Sequence, residues 1–136
     1  AQFVLGSSDN PQVQSLAQAI VADQRYEIGW MEGWLDTGGV ARPGRDRTVM
    51  GWMAMPVPFE EMPGRIPDDE IIAFYNAQGA DIDRRFLELM IEHHSGGAHM
   101  ATWAAESAID PEIRSLARRM PAAQRREVID MIQMLS

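Results

Sequence analysis

The stretch Asn10-Pro-Gln-Val-Gln-Ser-Leu-Ala17 returns one hundred positions later as Asp110-Pro-Glu-Ile-Arg-Ser-Leu-Ala117. In the same register, Gln24-Arg25-Tyr-Glu27 corresponds to Gln124-Arg125-Arg-Glu127. Asn and Asp are favoured N-caps, and the proline that follows each suits the first helical position. The chain is therefore predicted to contain two copies of one helix of about 25 residues.

Each copy places a carboxylate in the middle of an apolar helical face. At about 100° per residue, the glutamate shares that face with a glutamine three positions before it and a methionine four positions after it. The two rows are Gln24, Glu27 and Met31, and Gln124, Glu127 and Met131. A carboxylate is costly in apolar surroundings unless it is paired or bound to a metal. Each row is thus predicted either to cross-link neighbouring helices or to support or join a metal site.

A second stretch, FLELMIEHHSGGAHMA at 86–101, contains all three histidines of the chain. On a helix, His93 and His94 flank the face that is expected to be buried, whereas His99 lies on the polar side. A buried imidazole needs a hydrogen bond, a carboxylate or a metal. The histidine helix therefore allows either a His–Glu network or metal ligation.

Methionines flank the histidine pair on the same helix. Met90 and Met100 lie on either side of His93 and His94. Imidazole and thioether are ligands for copper, and thioether in particular suits copper(I). The four side chains are the predicted metal ligands, with copper as the expected ion.

The chain is predicted to form one helical domain over 1–136, in three parts. Residues 1–36 make up the second half of repeat one, 37–80 form a Met-, Pro- and Gly-rich connection with a short helix near 68–78, and 81–136 form a complete repeat two. Within the connection, the prolines and glycines of 36–67 predict a long loop without regular structure. Its methionines suit either adaptable packing or the binding of a soft cation; they are Met50, Met53, Met55 and Met62.

Repeat one lacks a counterpart of the histidine helix. In the repeat register, the partners of His93 and His94 would precede Ala1, and 1–5 resemble the last turn of a helix that ends at Gly6. We therefore expect a longer parent polypeptide and, in this chain, an apolar groove left open among three long helices. A second copy of the chain would cover such a groove by symmetry, so a homodimer is a candidate assembly.

The amino-acid composition and net charge exclude several classes of partner and site. The chain has 136 residues, of which 46% are hydrophobic and 24% charged, and a net charge of −8. An acidic surface argues against nucleic acid and anionic membranes as partners. No apolar run is long enough for a membrane span and no export signal is present. Cysteine is absent, which excludes disulfides and thiolate sites and is compatible with an oxidising compartment.

Both stretches together resemble the bacterial domain of unknown function 305 family. The resemblance covers nearly the whole chain and rests on one set of positions: Asp83, Phe86, Leu87, Met90, Ile91, His93, His94, Met100, Ala101, Gln124, Glu127 and Met131. It implies an all-α, ferritin-like four-helix bundle made of two helical-hairpin repeats, with the first helix of repeat one largely missing here. It also implies a secreted or periplasmic location. The family that the chain resembles includes copper-binding members.

Three functions follow as hypotheses. The first is an extracytoplasmic protein that buffers or carries copper through the His/Met site. The second is a non-catalytic interaction or structural module whose His–Glu pairs only stabilise the bundle. The third, ranked last, is a ferritin-like di-metal oxidoreductase, because such sites use Glu-x-x-His and the chain contains none. No catalytic constellation is found, so we expect a protein that is not an enzyme.

Overall fold

Four α-helices make up most of the protein, and the computed structural model describes residues 1–42 and 44–136. The helices are α1 (Pro11–Thr37), α2 (Asp68–Tyr75), α3 (Ala80–Ser107) and α4 (Pro111–Leu135). The long helices α1 and α4 begin where the repeat predicts, and α3 carries the histidines. None of the helices in the described ranges is both long and apolar enough to cross a membrane.

The two repeat helices start with the same N-cap geometry. The side chain of Asn10 accepts the backbone N–H groups of the second and third helical residues at 3.0 and 3.4 Å. Asp110 accepts the corresponding N–H groups at 2.7 and 3.1 Å, and these hydrogen bonds lower the pKa of its carboxyl. Such caps satisfy N–H groups that have no partner within the helix. The predicted helix starts are therefore confirmed.

The helices pack unequally. Helices α3 and α4 form an antiparallel hairpin with extensive close backbone approach, whereas α1 approaches either of them closely at few points. Pro121 stays inside α4 and is buried. The main core lies where the N-terminal halves of α1 and α3 meet the C-terminal half of α4. Its buried members are Val4, Val13, Ala17, Ile20, Phe74, Ile82, Phe86, Leu87, Met90 and Met131.

The connection between α1 and α2 is more regular than predicted. A two-stranded antiparallel ladder pairs β1 (Thr48–Val49) with β2 (Val57–Pro58), and 3₁₀ turns lie at Gly51–Met53 and Phe59–Glu61. The expectation of no regular structure over 36–67 was wrong. Burial of the methionine side chains between the strands anchors the hairpin, at 3% exposure for Met50 and 2% for Met53.

Two smaller expectations also needed correction. Helix α2 ends at Tyr75 rather than near 78, because the Asn76 side chain donates to the Ile72 carbonyl at 3.0 Å and the chain then turns. The N-terminal segment predicted to be a helix end is a single 3₁₀ turn at Val4–Gly6. Val4 anchors this turn in the core, with 0% exposure.

Candidate functional site

His94 is buried at the interface of α3 and α4 and is fully hydrogen-bonded. Its Nδ1 lies 3.0 Å from the Met90 carbonyl, and its Nε2 lies 3.0 Å from Oε2 of Glu127. A carbonyl oxygen only accepts, so Nδ1 must donate. Nε2 therefore faces a carboxylate oxygen of α4.

Gln124 lies one helical turn before Glu127, packed against a glycine of α3. A Cβ added to Gly97 would fall 2.9 Å from Oε1 of Gln124. Only a glycine therefore allows this approach without a shift of the glutamine. Gln124 is 8% exposed, and its Oε1 is buried without a hydrogen-bond partner.

His93 is exposed, contrary to the expectation that it would share the buried face with His94. Its Nδ1 lies 2.7 Å from the Gly64 carbonyl, which belongs to the turn Met62-Pro63-Gly64-Arg65. The carbonyl can only accept, so Nδ1 donates and the neutral ring keeps its lone pair on Nε2. A segment outside the helix thus fixes the tautomer and orientation of His93, which helical periodicity could not predict.

Close backbone contact holds that turn on α3. Gly64 has φ +78°, and the Arg65 N–H donates to the Met62 carbonyl at 3.0 Å, as in a type II turn. A Cβ on Gly96 would lie 2.5 Å from the Gly64 nitrogen. Glycines at both positions therefore allow the two backbones to touch.

An apolar groove lies between the C-terminal halves of α1 and α3 and the N-terminal half of α4, with a volume of about 550 Å³. The sequence predicted such a groove. Trp52 from the connection lies at its edge and contacts Trp103 edge to face, with ring centroids 6.4 Å apart. Its polar and sulfur-bearing lining residues are Gln24, Glu27, Met31, His93, Met100, Met120 and Gln124.

The four predicted metal ligands lie in different environments. His93 and Met100 line it, whereas Met90 belongs to the core and His94 is held by Glu127. The repeat rows divide in the same way. Met131 is in the core with 0% exposure, while Met31 is 39% exposed in the groove. His99 is exposed, as predicted.

Glu27 is the groove's carboxylate. Burial, reinforced by the nearby charges of Asp23 and Glu127, raises its pKa above the ordinary value, while His94 and Arg119 act in the opposite direction. Among the described residues, no three His, Asp or Glu side chains lie close enough together to hold a metal ion.

The sequence analysis assigns none of the groove's aromatic side chains, and not Met120, to a site. Periodicity places Trp34 and Met120 on the apolar faces of their helices, and Trp30 lies one turn before Trp34 on α1, so the same spacing could have indicated it. Trp52 comes from the connection, and only the tertiary structure places it there.

The helical fold and the site together define a class, a helical protein in which α3 and α4 share a buried His–Glu pair. The family model of the domain of unknown function DUF305 matches residues 1–135, and the chain belongs to this family. The predicted resemblance is confirmed. A comparison with curated proteins found no match.

Two solved structures are similar to the protein over 98% of its length. The "putative secreted protein DUF305" of Streptomyces coelicolor is 33% identical, with a TM-score of 0.87 over 79% of that chain. A DUF305 fragment from Deinococcus radiodurans is 29% identical, with a TM-score of 0.77 over 81% of that chain. The arrangement of helices is therefore that of the family.

Proposed function

We propose that the protein binds copper(I) outside the cytoplasm, in the groove, and thereby buffers or carries it. The observation that carries the proposal is the hydrogen bond from His93 Nδ1 to the Gly64 carbonyl. Metal-binding histidines characteristically donate their second ring N–H to a carbonyl or carboxylate, which fixes the lone pair on the other nitrogen. His93 has this arrangement, and it lines the groove.

Thioethers complete the proposed donor set. Met31, Met100 and Met120 line the groove together with His93. Imidazole and thioether are soft donors that suit copper(I), and such a site needs no cysteine, of which the chain has none. Of the four ligands predicted from sequence, the proposal keeps His93 and Met100. It assigns His94 and Met90 to the packing of α3.

The proposal also includes a location outside the cytoplasm and a ferritin-like bundle. The Streptomyces coelicolor relative carries the word secreted in its name, and an oxidising compartment is compatible with a chain free of cysteine. The matching N-caps of α1 and α4 support a ferritin-like bundle built from two repeats. The protein is proposed to bind rather than to catalyse, because the Glu-x-x-His motif of di-metal oxidoreductases does not occur in the sequence.

A competing function is that of an interaction module, with the groove as its contact surface. The observation in its favour is the His94–Glu127 pair, which satisfies both ring nitrogens without a metal. In that case a second copy of the chain would cover the groove as a homodimer. The two functions differ in their requirement for His93. Copper binding needs its imidazole as a ligand, whereas the interaction module rests on the His94–Glu127 pair, to which His93 does not belong.

An anaerobic copper(I) titration against a competing chelator tests the proposal. The wild type is expected to bind stoichiometrically, and His93→Ala is expected to weaken binding more than about tenfold. His99→Ala is the matched control, since His99 is exposed on the same helix and does not line the groove. Absence of binding, or equal losses in both variants, would contradict the proposal. Sedimentation at several protein concentrations measures the alternative directly.

A further inference from the structure

The aromatic side of the groove carries a second inference, independent of copper. Three tryptophans line the groove, namely Trp30, Trp34 and Trp52, while Gln24, Glu27 and Gln124 carry side-chain oxygen acceptors. We propose that this side binds an apolar organic cation, such as an aromatic or alkyl ammonium, with its charge held by Glu27 and the indole rings and its apolar part against the helices. This goes beyond the proposed metal function and uses other residues.

The charge of the lining selects a cation. Among the described residues that line the groove, Glu27 is acidic and none is lysine or arginine. In the part of the chain that the structure describes, the Glu27 carboxylate forms no hydrogen bond or ion pair, although Asp23, Glu127, His94 and Arg119 all lie near enough to influence it. An ammonium group would supply the missing counter-charge in partly apolar surroundings, where ion pairing is less screened than in water.

A residue that lines the same groove carries an unpartnered buried acceptor. Gln124 lines the groove, is 8% exposed, and has an Oε1 atom without a partner. Buried polar atoms in native proteins are nearly always satisfied, so an unpaired one at a groove indicates a missing donor. An N–H group, or the polarised C–H groups of a quaternary ammonium, would provide that donor.

The tryptophans suit the same ligand. Indole is the ring that attracts cations most strongly, and aromatic surroundings are a recurrent way to bind ammonium groups. Trp34 is held in place by its indole N–H, which donates to Asp110 Oδ2 at 3.4 Å. The volume of about 550 Å³ lies within the range of small-molecule sites. The groove therefore combines the shape, aromatic surface and charge that an organic cation requires.

Tryptophan fluorescence provides the test. The wild type is titrated with benzyltrimethylammonium, with neutral benzyl alcohol and with anionic phenylacetate. The cation is expected to bind about tenfold more tightly than the alcohol, and phenylacetate least tightly. Equal binding of the three probes, or no saturable binding of the cation at millimolar concentration, would overturn the proposal.

Variants assign the binding to the groove. Glu27→Gln is expected to remove most of the preference for the cation, whereas Glu32→Gln, an exposed glutamate of α1 outside the groove, is expected to keep it. Cation binding is measured in the absence of copper and copper(I) binding in the absence of the cation, so failure of one proposal is distinguishable from failure of the other. Circular dichroism and thermal unfolding establish that each variant is folded. A concentration-dependent dimer that excludes the cation would overturn the inference.

Discussion

Helices α1 and α4 carry the same Gln-x-x-Glu-x-x-x-Met row in two different environments. On α4, Glu127 meets His94 at 3.0 Å, and Met131 lies in the core with 0% exposure. On α1, Glu27 has no such partner among the described residues, and Met31 is 39% exposed. The difference comes from the neighbour. In the α4 row, Glu127 pairs with α3, and Gln124 alone is among the described residues that line the groove, whereas all three members of the α1 row line it.

The comparison separates two uses of one sequence pattern. Where the histidine helix covers the row, Glu127 is paired with His94 and Met131 is buried, so this part of the row stabilises the fold. Where the row is uncovered, its carboxylate and thioether remain accessible, as ligand binding requires. The two rows thus share one residue pattern, and the element packed against each row determines whether its side chains are buried or accessible.

Truncation of the two methionines should show the largest contrast. Met131→Ala removes a fully buried side chain, and such changes cost about 2–5 kcal/mol. Met31→Ala removes a partly exposed one and is expected to cost less than about 1 kcal/mol. Urea unfolding of both variants at the same protein concentration measures the difference. Similar losses in the two would mean that the groove is covered in solution and would remove the contrast between the rows.

Removal of the two glutamate side chains should change the stability of the fold in opposite directions at pH 7. Glu127→Ala leaves Nε2 of His94 without its partner and is expected to cost about 1–3 kcal/mol. Glu27→Ala removes a carboxylate that burial disfavours, so stability is expected to rise by less than about 1 kcal/mol, because solvent screens a partly exposed group. Glu127→Gln serves as a control, since its amide can donate to a neutral Nε2.

The pH dependence gives the second half of this test. Burial raises the pKa of Glu27 above 4.5, so the folded state binds its proton more tightly than the unfolded state does. The ionised group therefore destabilises the fold as pH rises from about 4.5 through the raised pKa, and the penalty is absent below that window. The gain of Glu27→Ala over the wild type should vanish in acid. A gain that persists there would show that charge is not its cause.

Two glycines give the third contrast. Gly96→Ala places a Cβ 2.5 Å from backbone of the 62–65 turn and is expected to cost about 1–3 kcal/mol, as in overpacked sites. Gly33→Ala on α1 meets nothing within 4 Å and should stabilise by about 1 kcal/mol through helix propensity. Thermal unfolding measures both. Equal gains would show that the turn does not rest on α3 in solution.

The sequence predicted the helix starts fully, but it predicted the surroundings of the His94–Glu127 pair only in part. The N-caps at Asn10 and Asp110 fixed the starts of α1 and α4 because capping is a local interaction. Periodicity placed His94 and Glu127 on buried faces, but it placed His93 there too. His93 lies at the edge of the face, where a contact from outside the helix decides exposure. The hairpin at 48–58 was missed because its short strands depend on tertiary burial of methionines.

The sequence by itself determined the repeat, the long helices with their caps and the membership of the DUF305 family, since these depend on interactions between residues close in the chain or on a shared pattern. Only the tertiary structure decided which copy of the row is covered, which nitrogen of His93 is engaged and which aromatic rings line the groove. Those features depend on contacts between distant segments, such as Gly64 with Gly96, whose geometry helical periodicity does not encode.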